Sequence, residues 1–419
     1  MKARIAGSDA RGVVRVPGSK SYTIRAAMCA AMADGESTIG GALESDDSAA
    51  VLDCLSRLGT GVREVDGTLR LRGGVLRAAV EPLWCRESGA TFRFMAALAA
   101  TVPGVTRLRC APSLARRPMQ PLLDALRRLG AAVDFDVMTG TLVVRGERRR
   151  SGHAVIRGDV SSQFLSALLL SGPRYGDGLR MELSSPLVSE RYAAMTIDCM
   201  RRFGAEVVVS DGGYVYDVSG PYRPTRYVVE GDWSGAAALL ALGAACGEVT
   251  AVGLYPDSLQ ADAAMIDLLE RMGAMVECGD GRVTVSRAAL VACDARLSEA
   301  IDLLPVVCAL GAVAHGTTVL TGIARARDKE SDRVAAMAEG LAHLGVPVDV
   351  TENEMQIRGG VAHGGEVSSA GDHRIAMAFG VLGAAVGDVV IDGAECVSKT
   401  YPAFWQALSD LGVEVMLSE

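Results

Sequence analysis

The chain has 419 residues, 49% of them hydrophobic but only 5% aromatic, so it can bury substantial cores that must be aliphatic and alanine-packed. Its net charge of −8 argues against broad nucleic-acid binding, although it leaves room for a local basic pocket. No apolar run approaches the ~20 residues of a membrane span, and the N-terminus lacks the apolar core of a signal peptide.

In chain order, MKARIAGSDARGVVRVPG reads as strands with no helix partner of their own. From there a single pattern recurs about every seventy residues. LDCLSRLGTGV, LLDALRRLGAAV, TIDCMRRFGAEV, MIDLLERMGAMV, MAEGLAHLGVPV and WQALSDLGVEV are each the end of an amphipathic helix, a stop glycine and the β-branched start of a strand. The glycines are Gly59, Gly130, Gly204, Gly273, Gly345 and Gly412. A second helix, apolar around most of its circumference, accompanies each and ends near Gly35, Gly104, Gly172, Gly247, Gly316 or Gly387; it should be buried, with the amphipathic helices outside. VTRLRCA, TTVLTGIA and DVVIDGA are strands between the two helices, and Asp-Gly in VREVDGTLRLRG and VECGDGRVTVSR predicts hairpins.

The last repeat stops half a hairpin short, so the two chain ends are expected to pair and complete it. The fold class is therefore α/β, with two domains of three repeated units each. One comprises residues 1–18 plus 233–419 and the other is inserted as 19–232, with hinges near 17–20 and 230–234. Ten cysteines from Cys29 to Cys396 show no close pairing and read as small buried side chains in a reducing compartment. The five histidines show no metal-ligand spacing, so no metal is expected.

The unusual polar residues fall in loops just before helices: VPGSKSYTIR, CRESGATFR, GDVSSQF, EGDWSGA and AGDHRIA before the apolar set, and LARRPMQ, LVSERY, ARARDKESDR and CVSKTYP before the amphipathic set. Helix N-termini attract anions. Lys20, Arg25, Arg117, Lys329, Arg333, Arg374 and Lys399 beside them predict a ligand carrying several negative groups, phosphate plus carboxylate. Each feature has a plainer reading. Ser19, Ser161 and Ser234 serve as N-caps, Arg93 and Arg327 as solvated side chains or salt-bridge partners, and Asp328 to Arg333 as a charged first helical turn. On that helix Lys329 and Arg333 would share a face. Asp302, in the apolar AIDLLPVV, is costly to bury unless it has a function or a cation. His373 is as well suited to a structural as to a catalytic role.

PGSKSYTIR, ESGATFR, RRPM, GDVSSQF, LVSERY, DKESDR, GDHR and SKTYP, in this order, resemble the 5-enolpyruvylshikimate-3-phosphate synthase family from about residue 10 to the C-terminus. The resemblance implies an inside-out α/β barrel in each domain, with buried helices, outer sheets and a cleft that closes on ligand. It also implies transfer of the enolpyruvyl group of phosphoenolpyruvate to the 5-hydroxyl of shikimate 3-phosphate, through a tetrahedral intermediate, in aromatic amino acid biosynthesis. No cofactor, nucleic acid or membrane takes part, and a cytoplasmic monomer is implied.

Carried over by position, Ser21 and Arg25 would hold the shikimate carboxylate. Ser161, Ser162, Ser189 and Tyr192 would surround its phosphate, and Gln163 would touch both substrates. Lys20, Gly89, Arg117, Arg333, Arg374 and Lys399 would surround phosphoenolpyruvate. Asp302 and Lys329 would help deprotonate the hydroxyl, Glu330 would protonate the methylene, and His373 would assist. Lys20, Asp302 and Lys329 also contact shikimate 3-phosphate in this scheme.

Glu87 and Arg325 each stand where many relatives have Asn, Arg325 near the shikimate ring; Glu87 would need Arg86 or Arg93 as a partner. A sister enzyme acting on UDP-N-acetylglucosamine would show Lys-Asn rather than Lys20-Ser21 and a reactive cysteine closer to Arg117 than Cys110. A DNA-clamp scaffold would need a basic helix face, which the apolar helices lack. A silent relative would have lost Asp302, Lys329 or Glu330.

Overall fold

The computed structural model describes residues 1–419. The chain divides into two compact units, Met1–Pro17 with Glu230–Glu419, and Gly18–Val229. The second unit therefore stops three residues before the expected 232. Residues 230–232 are hydrogen-bonded to the first unit: Asp232 N–H donates to Pro17 O and Gly231 N–H to Gly253 O, both at 2.9 Å. Glu230 accepts from Gln260 Nε2 at 2.7 Å. Gly18 goes with the second unit, where a Cβ would lie 1.9 Å from the Gly41 carbonyl oxygen.

Strands β1 (Lys2–Ile5) and β2 (Ala10–Arg15) open the chain. The Gly18–Val229 unit then begins with α1 (Lys20–Met32), β3 (Gly35–Gly40), α2 (Asp46–Arg57), β4 (Gly61–Val65) and β5 (Thr68–Gly73). Its second repeat is β6 (Leu83–Trp84), α3 (Gly89–Ala100), β7 (Gly104–Arg109), a short α4 (Pro112–Ala115), α5 (Gln120–Arg128), β8 (Ala132–Asp136) and β9 (Thr141–Gly146). Its third is β10 (Ser151–Ile156), α6 (Ser162–Ser171), β11 (Gly178–Leu183), α7 (Glu190–Arg202), β12 (Glu206–Ser210) and β13 (Val215–Ser219), followed by β14 (Arg226–Val228).

Back in the first unit come α8 (Trp233–Cys246), β15 (Gly247–Val252), α9 (Met265–Arg271), β16 (Met275–Gly279) and β17 (Arg282–Ser286). Then come β18 (Asp294–Arg296), α10 (Leu304–Val313), β19 (Thr317–Thr321), α11 (Arg333–His343), β20 (Val348–Val350) and β21 (Glu354–Arg358). The chain finishes with β22 (Gly365–Ser368), α12 (His373–Val386), β23 (Val389–Asp392), α13 (Phe404–Asp410) and β24 (Val415–Ser418).

All 24 strands fall into six four-stranded sheets of one design: an edge strand parallel to its neighbour, then an antiparallel hairpin. β6-β7-β9-β8, β10-β11-β13-β12 and β18-β19-β21-β20 each come from one repeat. In the other three the edge or the hairpin is completed from elsewhere in the chain. β14 joins β3, β2 joins β15, and β1 lies antiparallel between β23 and β24, with Lys2 opposite both Asp392 and Ser418. Of the N-terminal strands, then, only β1 completes the sixth repeat. The Asp-Gly turns are built as their sequence demands: Asp66 and Gly67 have φ of 51° and 67°, the twist that a two-residue hairpin needs.

The apolar helices are the core. α10 buries nine of its ten residues, whereas α5 buries only Leu122, Leu123, Ala125 and Leu126. Each fully buried leucine contributes about 1.5–3 kcal/mol. The stop glycine after α5, Gly130, has φ 86°, a left-handed value that a Cβ would strain. Gly247 differs: its φ of 175° suits any residue, but a Cβ there would lie 2.0 Å from the Ala10 carbonyl oxygen on β2. No helix is long and apolar enough to cross a membrane.

Candidate active site

In the first unit, the loops before α10, α11 and α12 bring their charges to one place. Asp302 lies in a 3-10 turn that precedes α10. Its Oδ1 accepts from Arg333 Nη1 at 2.7 Å and sits 3.1 Å from Lys329 Nζ, while Oδ2 is 3.7 Å from Arg374 Nη2. Arg333 is 1% exposed and bonded on every nitrogen: Nε to Asp372 Oδ2 at 2.7 Å, Nη1 to Asp302, and Nη2 to Glu330 Oε2 at 2.9 Å. Burial alone would lower its pKa, but Asp372, Glu330 and Asp302 together push it up. Burial likewise opposes the charge of Arg374, and Asp302 leads the carboxylates that raise it. A guanidinium enclosed this way is a fixed charge that orders three carboxylates.

Two readings of this region change. Asp328 to Arg333 is not a helical turn: α11 starts at Arg333 with Asp332 as its cap, and Lys329 has an extended backbone (φ −91°, ψ −152°). Lys329 and Arg333 converge through Asp302 rather than through helical spacing. Ser234 is not a cap either. Asp232 caps α8 by accepting from Gly235 N–H at 2.8 Å, and the Ser234 hydroxyl donates to Asp262.

Around the cluster, His373 is fully buried, its Nδ1 3.6 Å from Asp372 Oδ1. Lys399 ends a 3-10 turn and is 6% exposed. Arg325 Nη2 donates to the Ser298 carbonyl. Arg327 holds Asp332 at 3.3 Å and the Thr351 carbonyl at 2.9 Å, the salt-bridge role.

In the Gly18–Val229 unit, Ser19 caps α1, Ser88 caps α3 and Ser161 caps α6, so three buried helices present N-termini with their dipoles. Lys20 Nζ is 3.3 Å from Asp47 Oδ2 in the first turn of α2. Gly89 opens α3, and a Cβ on it would lie 3.1 Å from Arg93 Nη1 and 3.4 Å from Arg117 Nη1. The missing side chain is what lets both guanidiniums approach that helix end. Arg93 donates to Gln163 Oε1 and to Pro118 O. Arg86, one partner expected for Glu87, pairs instead with Asp46 at 3.1 Å, and Glu87 accepts from Ser113 Oγ at 2.8 Å.

Arg25 is 2% exposed and ties together the backbones flanking the expected shikimate groups. It donates to Thr196 Oγ1 (2.8 Å), Ser21 O (2.9 Å) and Tyr192 O (3.2 Å). Burial lowers its pKa. Ser162 is buried at the start of α6. Ser189 precedes α7 with a left-handed backbone (φ 50°) that a serine adopts only where its surroundings impose it. Cys110 donates to Gly140 O at 3.5 Å, and burial pushes its thiol up to about 11, an unreactive value.

Sequence reasoning missed three carboxylates. Asp47 shares the buried face of α2 with Ala50, Val51 and Cys54, and that three-and-four spacing marks it as an acid on an apolar stripe. Asp372 carried the N-cap signal of GDHR, but nothing local marks its pairing with Arg333. Asp262 is 1% exposed in a 3-10 turn between β15 and α9, and no local pattern reveals it.

Comparison with known proteins gives a consistent result. A family model described as EPSP synthase (3-phosphoshikimate 1-carboxyvinyltransferase) matches residues 5–408. A 3-phosphoshikimate 1-carboxyvinyltransferase of Dehalococcoides mccartyi is 42% identical over 420 residues, covering 99% of both chains. Its counterpart in Methanocorpusculum labreanum is 37% identical at the same coverage. Among solved structures, EPSP synthase from Acinetobacter baumannii superposes with a TM-score of 0.83 at 28% identity, over 99% of this chain and 100% of that one. The enolpyruvyl transferase NikO from Streptomyces tendae shares the fold, with a TM-score of 0.83 at 18% identity over 99% and 98% of the two chains.

Proposed function

This chain belongs to the EPSP synthase (3-phosphoshikimate 1-carboxyvinyltransferase) family, and we propose that it transfers the enolpyruvyl group of phosphoenolpyruvate to the 5-hydroxyl of shikimate 3-phosphate. The observation that carries this reading is the grip of Arg333 on Asp302, Glu330 and Asp372, with Lys329 and Arg374 against Asp302. Acids and cations so arranged suit a reaction that removes one proton, delivers another and develops charge on a phosphate-bearing intermediate.

The reaction needs five changes. The 5-hydroxyl oxygen bonds to C2 of phosphoenolpyruvate and loses its proton, while C3 gains one. The tetrahedral adduct then loses a proton from C3 and expels phosphate. Asp302, with Lys329, takes the hydroxyl proton; Glu330, on Arg333, exchanges the proton at C3; His373 supports Asp372. Arg333, Arg374 and Lys399 supply positive charge to phosphoenolpyruvate from the first unit, Arg333 acting also through the carboxylates it orders. Lys20, Gly89 and Arg117 contribute from the second, and Gln163, oriented by Arg93, touches both substrates. Shikimate 3-phosphate is held by Ser21 and Arg25 at its carboxylate and by Ser161, Ser162, Ser189 and Tyr192 at its phosphate, with Arg325 near the ring. Lys20, Asp302 and Lys329 complete its contacts.

The protein acts as a single chain and in a reducing, cytoplasmic setting; ten free thiols, seven of them buried, support the second part of that reading. Phosphate release with phosphoenolpyruvate tests the reading. It should require shikimate 3-phosphate, and release driven by UDP-N-acetylglucosamine instead would overturn it.

A further inference from the structure

Two buried arginines of this chain are held in opposite ways. Arg333 is enclosed by Asp302, Glu330 and Asp372. Arg25, in the Gly18–Val229 unit, makes no ion pair with any carboxylate, and the ionisable groups that act on it most strongly are Cys199, Tyr192, Tyr22 and Cys29. Its hydrogen bonds all go to neutral oxygens: Nε to Thr196 Oγ1 at 2.8 Å, Nη1 to Ser21 O at 2.9 Å and Nη2 to Tyr192 O at 3.2 Å. Its Cζ lies 5.4 Å from the centre of the Phe94 ring. A buried cation held by neutral groups alone is costly until an anion joins it. Of the five N–H groups of a guanidinium, one on each terminal nitrogen is left over, enough for a carboxylate to be bound by both nitrogens.

Two of the three acceptors are backbone carbonyls, which any residue would supply. Thr196 is the one acceptor that a side chain provides. It is fully buried on α7, one turn after Tyr192, and its hydroxyl lies 2.8 Å from the Tyr192 carbonyl and 2.9 Å from Ser166 Oγ, besides accepting from Arg25. Ser166 is fully buried on α6. One hydroxyl therefore ties Arg25 of α1 to both α6 and α7. Packing alone does not call for a threonine here: valine has the same outline and no buried polar atom to satisfy.

We propose that Thr196 is a positioning residue for shikimate 3-phosphate: its hydroxyl fixes the Nε edge of Arg25 so that the terminal nitrogens meet the substrate carboxylate. A long side chain immobilised before the substrate arrives loses no further rotamer freedom on binding, so the hold of Thr196 on Arg25 adds to affinity. Through the Tyr192 carbonyl the same hydroxyl couples the carboxylate end of the site to the segment assigned to the phosphate. The inference rests on the reading of Arg25 as the partner of the shikimate carboxylate.

The test measures Kd by titration calorimetry for shikimate 3-phosphate and for its carboxyl methyl ester, on wild type, Thr196→Val and Thr196→Ser. The ester keeps the phosphate and the ring but loses the charge that Arg25 meets. The ratio of the two constants, ester over acid, should fall about tenfold in Thr196→Val, and Thr196→Ser should restore it to within about threefold of wild type. An equal ratio in wild type and the valine variant overturns the proposal, because a merely structural role would weaken both ligands alike. If Thr196→Val fails to fold, Ser166→Ala serves instead. It unlinks the hydroxyl from α6 and should lower the ratio about threefold; an unchanged ratio overturns the proposal. A readout that needs no ligand is the nitrogen-15 resonance of Arg25 Nε, assigned by its loss in Arg25→Lys. Its proton should exchange slowly in wild type and Thr196→Ser and faster in Thr196→Val, and identical exchange overturns the proposal. Absence of shikimate 3-phosphate binding with the exchange altered would overturn the function assigned above and leave the hold of Thr196 on Arg25 established.

Discussion

Arg333 Nε lies 2.7 Å from Asp372 Oδ2, and the two side chains are 1% and 0% exposed. The same aspartate caps α12, accepting from Arg374 N–H at 3.0 Å through Oδ1. One carboxylate thus fixes the charge that orders Asp302 and Glu330 and the helix that carries Arg374. Asp372→Asn should keep the cap but leave Arg333 short of a negative partner, with a loss of about 3 kcal/mol. Asp372→Ala should cost about 1 kcal/mol more through the lost cap. Urea unfolding of the two variants separates the contributions, and equal stability of Asn variant and wild type would show the pair to be neutral.

Asp302→Ala removes the acceptor on which Lys329 and Arg333 converge. The expected loss in kcat is about 10³-fold, with binding of shikimate 3-phosphate, measured by titration calorimetry, largely retained. An unchanged kcat would remove Asp302 from the chemistry.

Lys20 and Asp47, 3.3 Å apart, form a second testable pair. Lys20→Ala should lower kcat/KM by about 10²-fold and Asp47→Ala by about tenfold, the latter through loss of the lysine's orientation. The double variant should resemble Lys20→Ala, a coupling of about 1.4 kcal/mol. Simple additivity would mean that Asp47 acts on something else.

Asp262 also predicts a pH dependence of stability. An exposed aspartate titrates near ~3.9, whereas this buried one is pushed up to about 6. Between those values the folded chain holds a proton that the unfolded chain has released. Stability from this group therefore falls as pH rises from about 4 to 6 and is level above, a change of about 2–3 kcal/mol. Asp262→Asn should abolish that fall, so denaturant midpoints of the two proteins should diverge from about pH 4 to 6 and keep a constant gap from there to pH 7. Parallel curves would place Asp262 at an ordinary value.

The repeat was legible because its signals are local: a stop glycine, an apolar helix and an Asp-Gly turn each act within a few residues. The convergence of Lys329 and Arg333 could be suspected from charge, but the sequence suggested helical spacing, whereas Lys329 lies in extended chain and meets Arg333 through Asp302. Long-range partners were not readable. Asp372 reaches Arg333 across 39 positions and Ser234 reaches Asp262 across 28, and no pattern within either segment encodes the meeting. Asp47 was the exception, since its place on an apolar stripe was visible and passed over. Ser234, an ordinary cap by its position, turned out to serve a neighbour's carboxylate because Asp232 had taken the capping role.

Strand β1 sits in the middle of its sheet, with β23 and β24 on either side. On the ribosome, residues 2–5 are made long before both of their neighbours, which lie about 390 to 410 positions later in the chain. The Gly18–Val229 unit can close its core during elongation, whereas the other must keep β1 waiting until β23 and β24 have left the exit tunnel. A stalled or truncated nascent chain would carry a finished unit beside one whose last sheet has no centre. Ribosome-release profiling should find protease protection of the second unit well before that of the first.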